Sequence, residues 1–196
     1  MALTTKGIEK KLYILEKAAA VFIKKGYTAV TMKDIVDECG ISRGGLYKYY
    51  ASTQEIFLDI LSVEKEDDGS FFTEGMENGV NAIKIFSEFL RQQKNELLNV
   101  DNTIRLAVYE FFLSHRDHDA TDILKRQYTD IMSVLSQVLH YGIARNEITK
   151  ITLGEVENTA NQVIILLEGL NILALSKQIS SQLIDEQFGL LIKNIK

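Results

Sequence analysis

Residues 31 to 52, TMKDIVDECGISRGGLYKYYAS, constrain this chain more than any other stretch. Thr31 is a helix N-cap residue, and Met32, Ile35, Val36 and Cys39 follow it at helical spacing. Gly40 stands where that helix stops, because a residue without a β-carbon enters left-handed backbone at little cost. Ile41 then turns inward, and Ser42 caps a second helix that begins at Arg43. Two short helices joined by a tight turn that starts with Gly spell a helix-turn-helix. On the second helix Arg43, Gly44, Gly45, Tyr47, Lys48 and Tyr49 face outward, while Leu46 and Tyr50 point back to the first. Such a face suits a DNA major groove.

The side chains on that face suit the task. Phenol hydroxyls such as those of Tyr47 and Tyr49 donate to phosphate oxygens. Arg43 and Lys48 are long enough to reach base edges, and Arg is the commonest partner of guanine O6 and N7. The hydroxyls and amides of Thr31 and Ser42 lie at helix N-termini, where a phosphate is favourably placed. Gly44 and Gly45 each cost about 1 kcal/mol against Ala in a helix, so this helix is marginal alone and is expected to firm up on binding.

Charge is distributed to match. Residues 1 to 52 carry +4 and the remainder −9, within a net charge of −5. A basic head on an acidic body fits a protein whose N-terminal part meets phosphate. The single cysteine excludes an internal disulfide and fits a reducing cytoplasm. Lys6, Lys10 and Lys11 are not followed by an uninterrupted apolar segment, which argues against a signal peptide. The apolar run Val163 to Leu167 is soon interrupted by Glu168 and falls short of the ~18 residues of a membrane span. A cytoplasmic protein without membrane contact is expected.

The run TMKDIV…CGISRGGLYKYY resembles the N-terminal DNA-binding signature of the TetR family of bacterial transcriptional repressors. The likeness extends upstream to Ala20–Tyr27, AVFIKKGY, and downstream to Ser52–Ile56, STQEI. Tyr49 and Tyr50 stand where the family usually has His then Phe, and Thr53 where it usually has Lys. The resemblance implies that Lys33 also faces the groove. It further implies a homodimer on a palindromic operator, and a divergent helical body that binds a small effector.

Elsewhere the pattern is helical, and the absence of proline agrees with long helices. A first helix is expected over 7–25, with Ile8, Leu12, Leu15, Ala19 and Phe22 as its apolar stripe. Another follows over 53–66, stopped by Asp67-Asp68-Gly69-Ser70, with a loose stretch after it. Further helices are expected over 80–98, 102–115 and 121–143. Thr152-Leu-Gly-Glu155 reads as a capping box that opens a helix to about residue 176, and a last helix covers 182–193. The fold class is all-α with about nine helices: a three-helix head over 1–52 and an effector-binding, dimerising body over 53–196.

The helix from Val163 to Leu175 is apolar nearly all round and is therefore buried on both sides. It looks like the penultimate helix of TetR-family ligand domains, whose last two helices form a four-helix dimer interface. That resemblance implies Val163, Leu167, Leu170, Ile172, Ala174, Ile184, Phe188 and Leu191 as interface residues. For the effector, Arg105, Tyr109, Glu110, Tyr128 and Glu168 are polar groups on apolar helices. Together with Phe86, Phe89, Phe111 and Phe112 they point to a mostly apolar cavity among the helices of the body.

No cofactor is expected. His115, Asp117, His118 and Asp119 lie close in sequence, but no third cluster completes a metal set. Cys39 reads as packing, and no arrangement of a catalytic site is present, so an enzyme is not expected. The favoured reading is a homodimeric repressor released by a small apolar or amphipathic molecule. Two alternatives stand beside it: a regulator of the same fold controlled by a protein partner, and a helical protein-interaction module.

Overall fold

Helices carry all the regular structure in the residues described, and no strand occurs among them. The structure is a computed structural model that describes residues 5–115 and 118–196, apart from the side chains of 63–69 and 118–120. In chain order the helices are α1 (Thr5–Lys25), α2 (Met32–Cys39), α3 (Arg43–Tyr47), α4 (Thr53–Glu77) and α5 (Ala82–Leu98). Then come α6 (Arg105–Ser114), α7 (His118–Ala144), α8 (Val156–Leu175) and α9 (Ser181–Ile195), with 3-10 turns at Val100–Asn102 and Leu153–Glu155. They form two compact units, Met1–Asp67 with Asp101–His115, and Asp68–Val100 with Arg116–Lys196.

In the first unit α1 packs on α2 and on α6. Its buried side is Ile14, Leu15, Ala18, Val21 and Phe22, whereas Ile8 and Leu12 are about half exposed. The buried stripe is thus rotated from the expected one, because α2 and α6 choose which flank of the helix is covered. The core also takes Ile35, Leu46, Ile56, Phe57 and Phe111, all fully enclosed. Phe57 is ringed at 4.8 Å by Phe22, 4.9 Å by Tyr27 and 5.2 Å by Phe111. Aromatic pairs of this kind contribute roughly 0.5–1.5 kcal/mol each beyond area burial.

Helix α4 does not stop at Asp67–Ser70 but runs on to Glu77. Phe72 is buried in the core of the second unit, and Phe71 and Met76 pack against that core. Their burial outweighs the helix cost of Gly69 and Gly75. Gly75 is itself useful there, since a β-carbon at that position would come within 3.0 Å of Ile85. The chain turns away just beyond its end, at Gly79, whose φ is +70.

The second unit is built on α8, which packs against α7 and α5, while α5 also meets α7 and α9. Phe86, Leu135, Leu139, Ala160, Val163 and Ile184 are fully enclosed in its core. The expected capping box is present, with the Thr152 amide donating to Glu155 Oε2 at 2.7 Å. By length and composition the segment Leu153–Leu175 passes for a membrane span. Val156, Ala160, Val163, Leu167, Leu170 and Ala174, however, bury one whole side of α8 in this core.

The turn after α1 sets a strict local requirement. Gly26 has φ +76, and a β-carbon there would lie 2.6 Å from Glu110 Oε2. Gly26→Ala is expected to cost roughly 1–2 kcal/mol for the left-handed backbone, with the carboxylate clash added. Chemical denaturation would show the loss, and in a Glu110→Ala background only the backbone part should remain.

Candidate nucleic-acid interface

Local hydrogen bonds build the helix-turn-helix. Thr31 Oγ accepts from the Asp34 amide at 3.3 Å, and the Thr31 amide donates to Asp34 Oδ2 at 2.9 Å, a reciprocal cap. Lys25 Nζ donates to Asp34 Oδ1 at 2.6 Å and so ties the end of α1 to the start of α2. At the far end Gly40 is left-handed at φ 61, and the amides of Gly40 and Ile41 donate to the carbonyls of Asp37 and Val36. Ser42 Oγ accepts from the Gly45 amide at 3.1 Å and starts α3.

Leu46 and Tyr50 are buried beneath α3, as their spacing required. Arg43, Gly44, Tyr47 and Lys48 are exposed, while Gly45 and Tyr49 are partly covered. Tyr47 shows 43% of its surface, and the Arg43 guanidinium carbon lies 5.3 Å from its ring centroid. At that distance the guanidinium lies over the ring, and both side chains are on the exposed side of α3. Lys33 and Thr31 are exposed on α2. The amide and hydroxyl of Thr31 are both engaged with Asp34, so this residue acts first as a cap. Asp34 itself went unnoticed in the sequence, although Thr-x-x-Asp before an apolar run announces such a cap.

The candidates for the effector and the dimer are dispersed. Arg105, Tyr109 and Glu110 lie on α6 in the first unit, and Tyr128 and Glu168 lie on α7 and α8 in the second. Glu110 serves the turn after α1, where its Oε2 accepts from the amide and the hydroxyl of Thr28 at 2.9 and 3.1 Å. The Tyr128 hydroxyl donates to Asn161 Oδ1. Of the expected interface residues, Val163, Leu167, Leu170, Ala174, Ile184, Phe188 and Leu191 fill the core of their own unit. Ile172 alone among them is exposed, at 54%, and Ile165 at 71% and Leu190 at 51% share its condition. An apolar helix offers core on every side, so sequence could not say which side its own chain covers. His115 packs flat on Phe111 at 4.6 Å and pairs with the Tyr27 hydroxyl, while Asp117 and the side chains of His118 and Asp119 lie outside the described residues.

A capped helix-turn-helix with an exposed basic-aromatic face, carried by a chain that continues as an all-helical body, defines a DNA-binding transcription regulator. Residues 14–60 match the model of the bacterial regulatory proteins of the tetR family, and residues 84–182 match a tetracyclin repressor-like C-terminal domain. The chain belongs to the TetR family of bacterial transcriptional regulators. It is 30% identical over 140 residues to the uncharacterised HTH-type transcriptional regulator YfiR of Bacillus subtilis, covering 71% of this chain and 68% of that one. In fold it is similar to a regulator from Saccharomonospora viridis solved in complex with choline, at a TM-score of 0.76 and 19% identity, over 96% of this chain and 98% of that one. It is also similar to FadR from Bacillus subtilis in complex with stearoyl-CoA, at 0.73 and 16% identity, over 94% and 99%. These relatives regulate transcription, and the chain is a regulator rather than an enzyme.

Two outcomes follow from this geometry. Asp34 is held at a pKa of about 2, first by Lys25 and then by the amide and hydroxyl of Thr31. Its folded value is below its ordinary one, so its contribution is complete above about pH 4 and disappears as the pH falls toward 2. Asp34→Asn should therefore flatten the fall of the thermal midpoint across that window. Gly44 differs, since a β-carbon there meets nothing within 4 Å and its φ is not positive. Gly44→Ala should stabilise the free protein by roughly 0.5–1 kcal/mol and yet weaken DNA binding, which thermal melts and DNA titrations would check.

Proposed function

We propose that this protein is a homodimeric repressor that reads a palindromic operator through α3 and is released by a small apolar or amphipathic effector. The observation that carries the reading is the outward face of Arg43, Tyr47 and Lys48 over a buried Leu46–Tyr50 floor, in a head of charge +4. Residues 1–52 read DNA, and residues 53–196 take up the effector and the partner subunit. Arg43 and Lys48 contact base edges or backbone, while Tyr47, Tyr49, Lys33 and the Ser42 hydroxyl contact phosphates around them. Gly44 and Gly45 let the α3 backbone come close to the duplex.

The exposed side chains of Ile165 and Ile172 on α8 and Leu190 on α9 support dimerisation, since they leave apolar surface uncovered on the single chain. A two-fold dimer presents two copies of α3, and such proteins meet half-sites about 34–36 Å apart. Stearoyl-CoA in one of the two similar structures supports an amphipathic effector, and choline in the other shows that a body of this fold also takes up a small organic molecule. In the second unit, Tyr128 with Asn161 supplies a polar pair for it. The effector needs only to favour the state whose heads no longer match successive grooves. The work is done in the cytoplasm, where the operator lies.

Selecting duplexes from a random pool tests the reading. The expected result is a palindrome with half-sites about one helical turn apart or slightly more. Arg43→Ala should flatten preference at particular bases, and Tyr47→Phe should weaken all sequences about equally. Ile172→Lys should sediment as a monomer and lose the operator. A wild-type monomer at micromolar concentration, or a single non-repeated site, would overturn the dimeric reading.

A further inference from the structure

Helix α3 spans five residues, two of them glycine, and cannot hold its own position. Its trailing end is held by α4. The Tyr50 ring is buried at 3% exposure, and its hydroxyl donates to Asp59 Oδ2 at 2.9 Å. The same oxygen receives Lys11 Nζ at 2.6 Å, and that ammonium lies 5.5 Å from the Tyr50 ring centroid. One carboxylate oxygen thus joins α1, α4 and Tyr50, three residues beyond the end of the recognition helix. The adjacent Ala51 amide donates to Glu55 Oε2 at 2.7 Å, so two consecutive residues are fastened to α4.

We propose that Tyr50, Asp59 and Lys11 form a tether that positions α3 for DNA without touching it. The inference rests on the outward face of α3 being the DNA-reading face. Burial and the Asp59 carboxylate push the Tyr50 phenol well above its ordinary value, so it stays a donor at every accessible pH. Tyr50→Phe keeps the packed ring and removes only the directional bond. Asp59→Asn keeps an acceptor for the phenol and loses the charge that draws Lys11 in.

The test uses the full chain and a duplex selected by the wild type. Tyr50→Phe and Asp59→Asn are each expected to lower affinity about 2- to 10-fold, the range that one net hydrogen bond supports. The slope of log K against log salt should not change, because no phosphate contact is lost. The double variant should lose less than the sum of the two singles, since both act on the same three-residue tether. Lys11→Met should behave in the same way, and a slope smaller by about one would instead make Lys11 a phosphate contact and overturn its place in the tether. A readout that needs no DNA separates this inference from the DNA reading itself. Amide exchange at residues 43–49 of the free protein should quicken in Tyr50→Phe, and unchanged exchange or unchanged affinity would overturn the tether.

Discussion

Four aromatic side chains, Phe57 with the three rings around it, hold the first unit together. Phe22 comes from α1, Tyr27 from the turn after it, Phe57 from α4 and Phe111 from α6, and each ring lies within 6 Å of others in the set. The cluster is apolar and dense, so each ring is held by contacts that it cannot trade for water. Because Tyr27 stands in the turn and Phe22 next to it, the path of the chain between α1 and α2 follows from this packing. The Glu110 carboxylate completes that turn from α6 by accepting two hydrogen bonds from Thr28. The base on which the helix-turn-helix rests is therefore made by residues far apart in the chain.

On that base the helix-turn-helix is made almost wholly of caps. Thr31 and Asp34 close the front of α2, Gly40 ends it, and Ser42 opens α3. None of these bonds is strong alone, and each ranges from about 0.5 to 2 kcal/mol. Together they leave little freedom in where α3 begins. Its end is set differently, by burial of Leu46 and Tyr50. A recognition element fixed at both ends yet weak in the middle can adjust its backbone to a groove without losing its place.

The second unit meets the opposite demand. Its α8 offers apolar side chains in nearly every direction, and α5 and α7 cover only part of it. What they leave includes the exposed side chains of Ile165 and Ile172, with Glu168 between them on the same face of the helix. Lys94 with Asp185 and Arg145 with Glu147 trim the edges of the unit, where exposed ion pairs add little stability. Stability in this unit comes from the covered faces.

Local chemistry was legible without coordinates. The Thr31 and Ser42 caps, the Gly40 stop, the inward Leu46 and Tyr50 and the Thr152–Glu155 box all depend on groups within about four residues, where backbone geometry fixes the distances. What only the tertiary structure decided depends on partners tens of residues away. Ile14, Ala18 and Val21 replace Ile8 and Leu12 in the core because α2 and α6 lie on that flank of α1. Helix α4 continues past Gly69 because Phe72 finds a core to enter. Glu110 is held at the turn after α1 because Thr28 donates to it, and Val163 and Leu167 enter the core of their own unit because its other helices arrive on that side. Periodicity tells that a helix has an apolar side, but burial goes to whichever neighbour arrives, and long-range packing alone settles that.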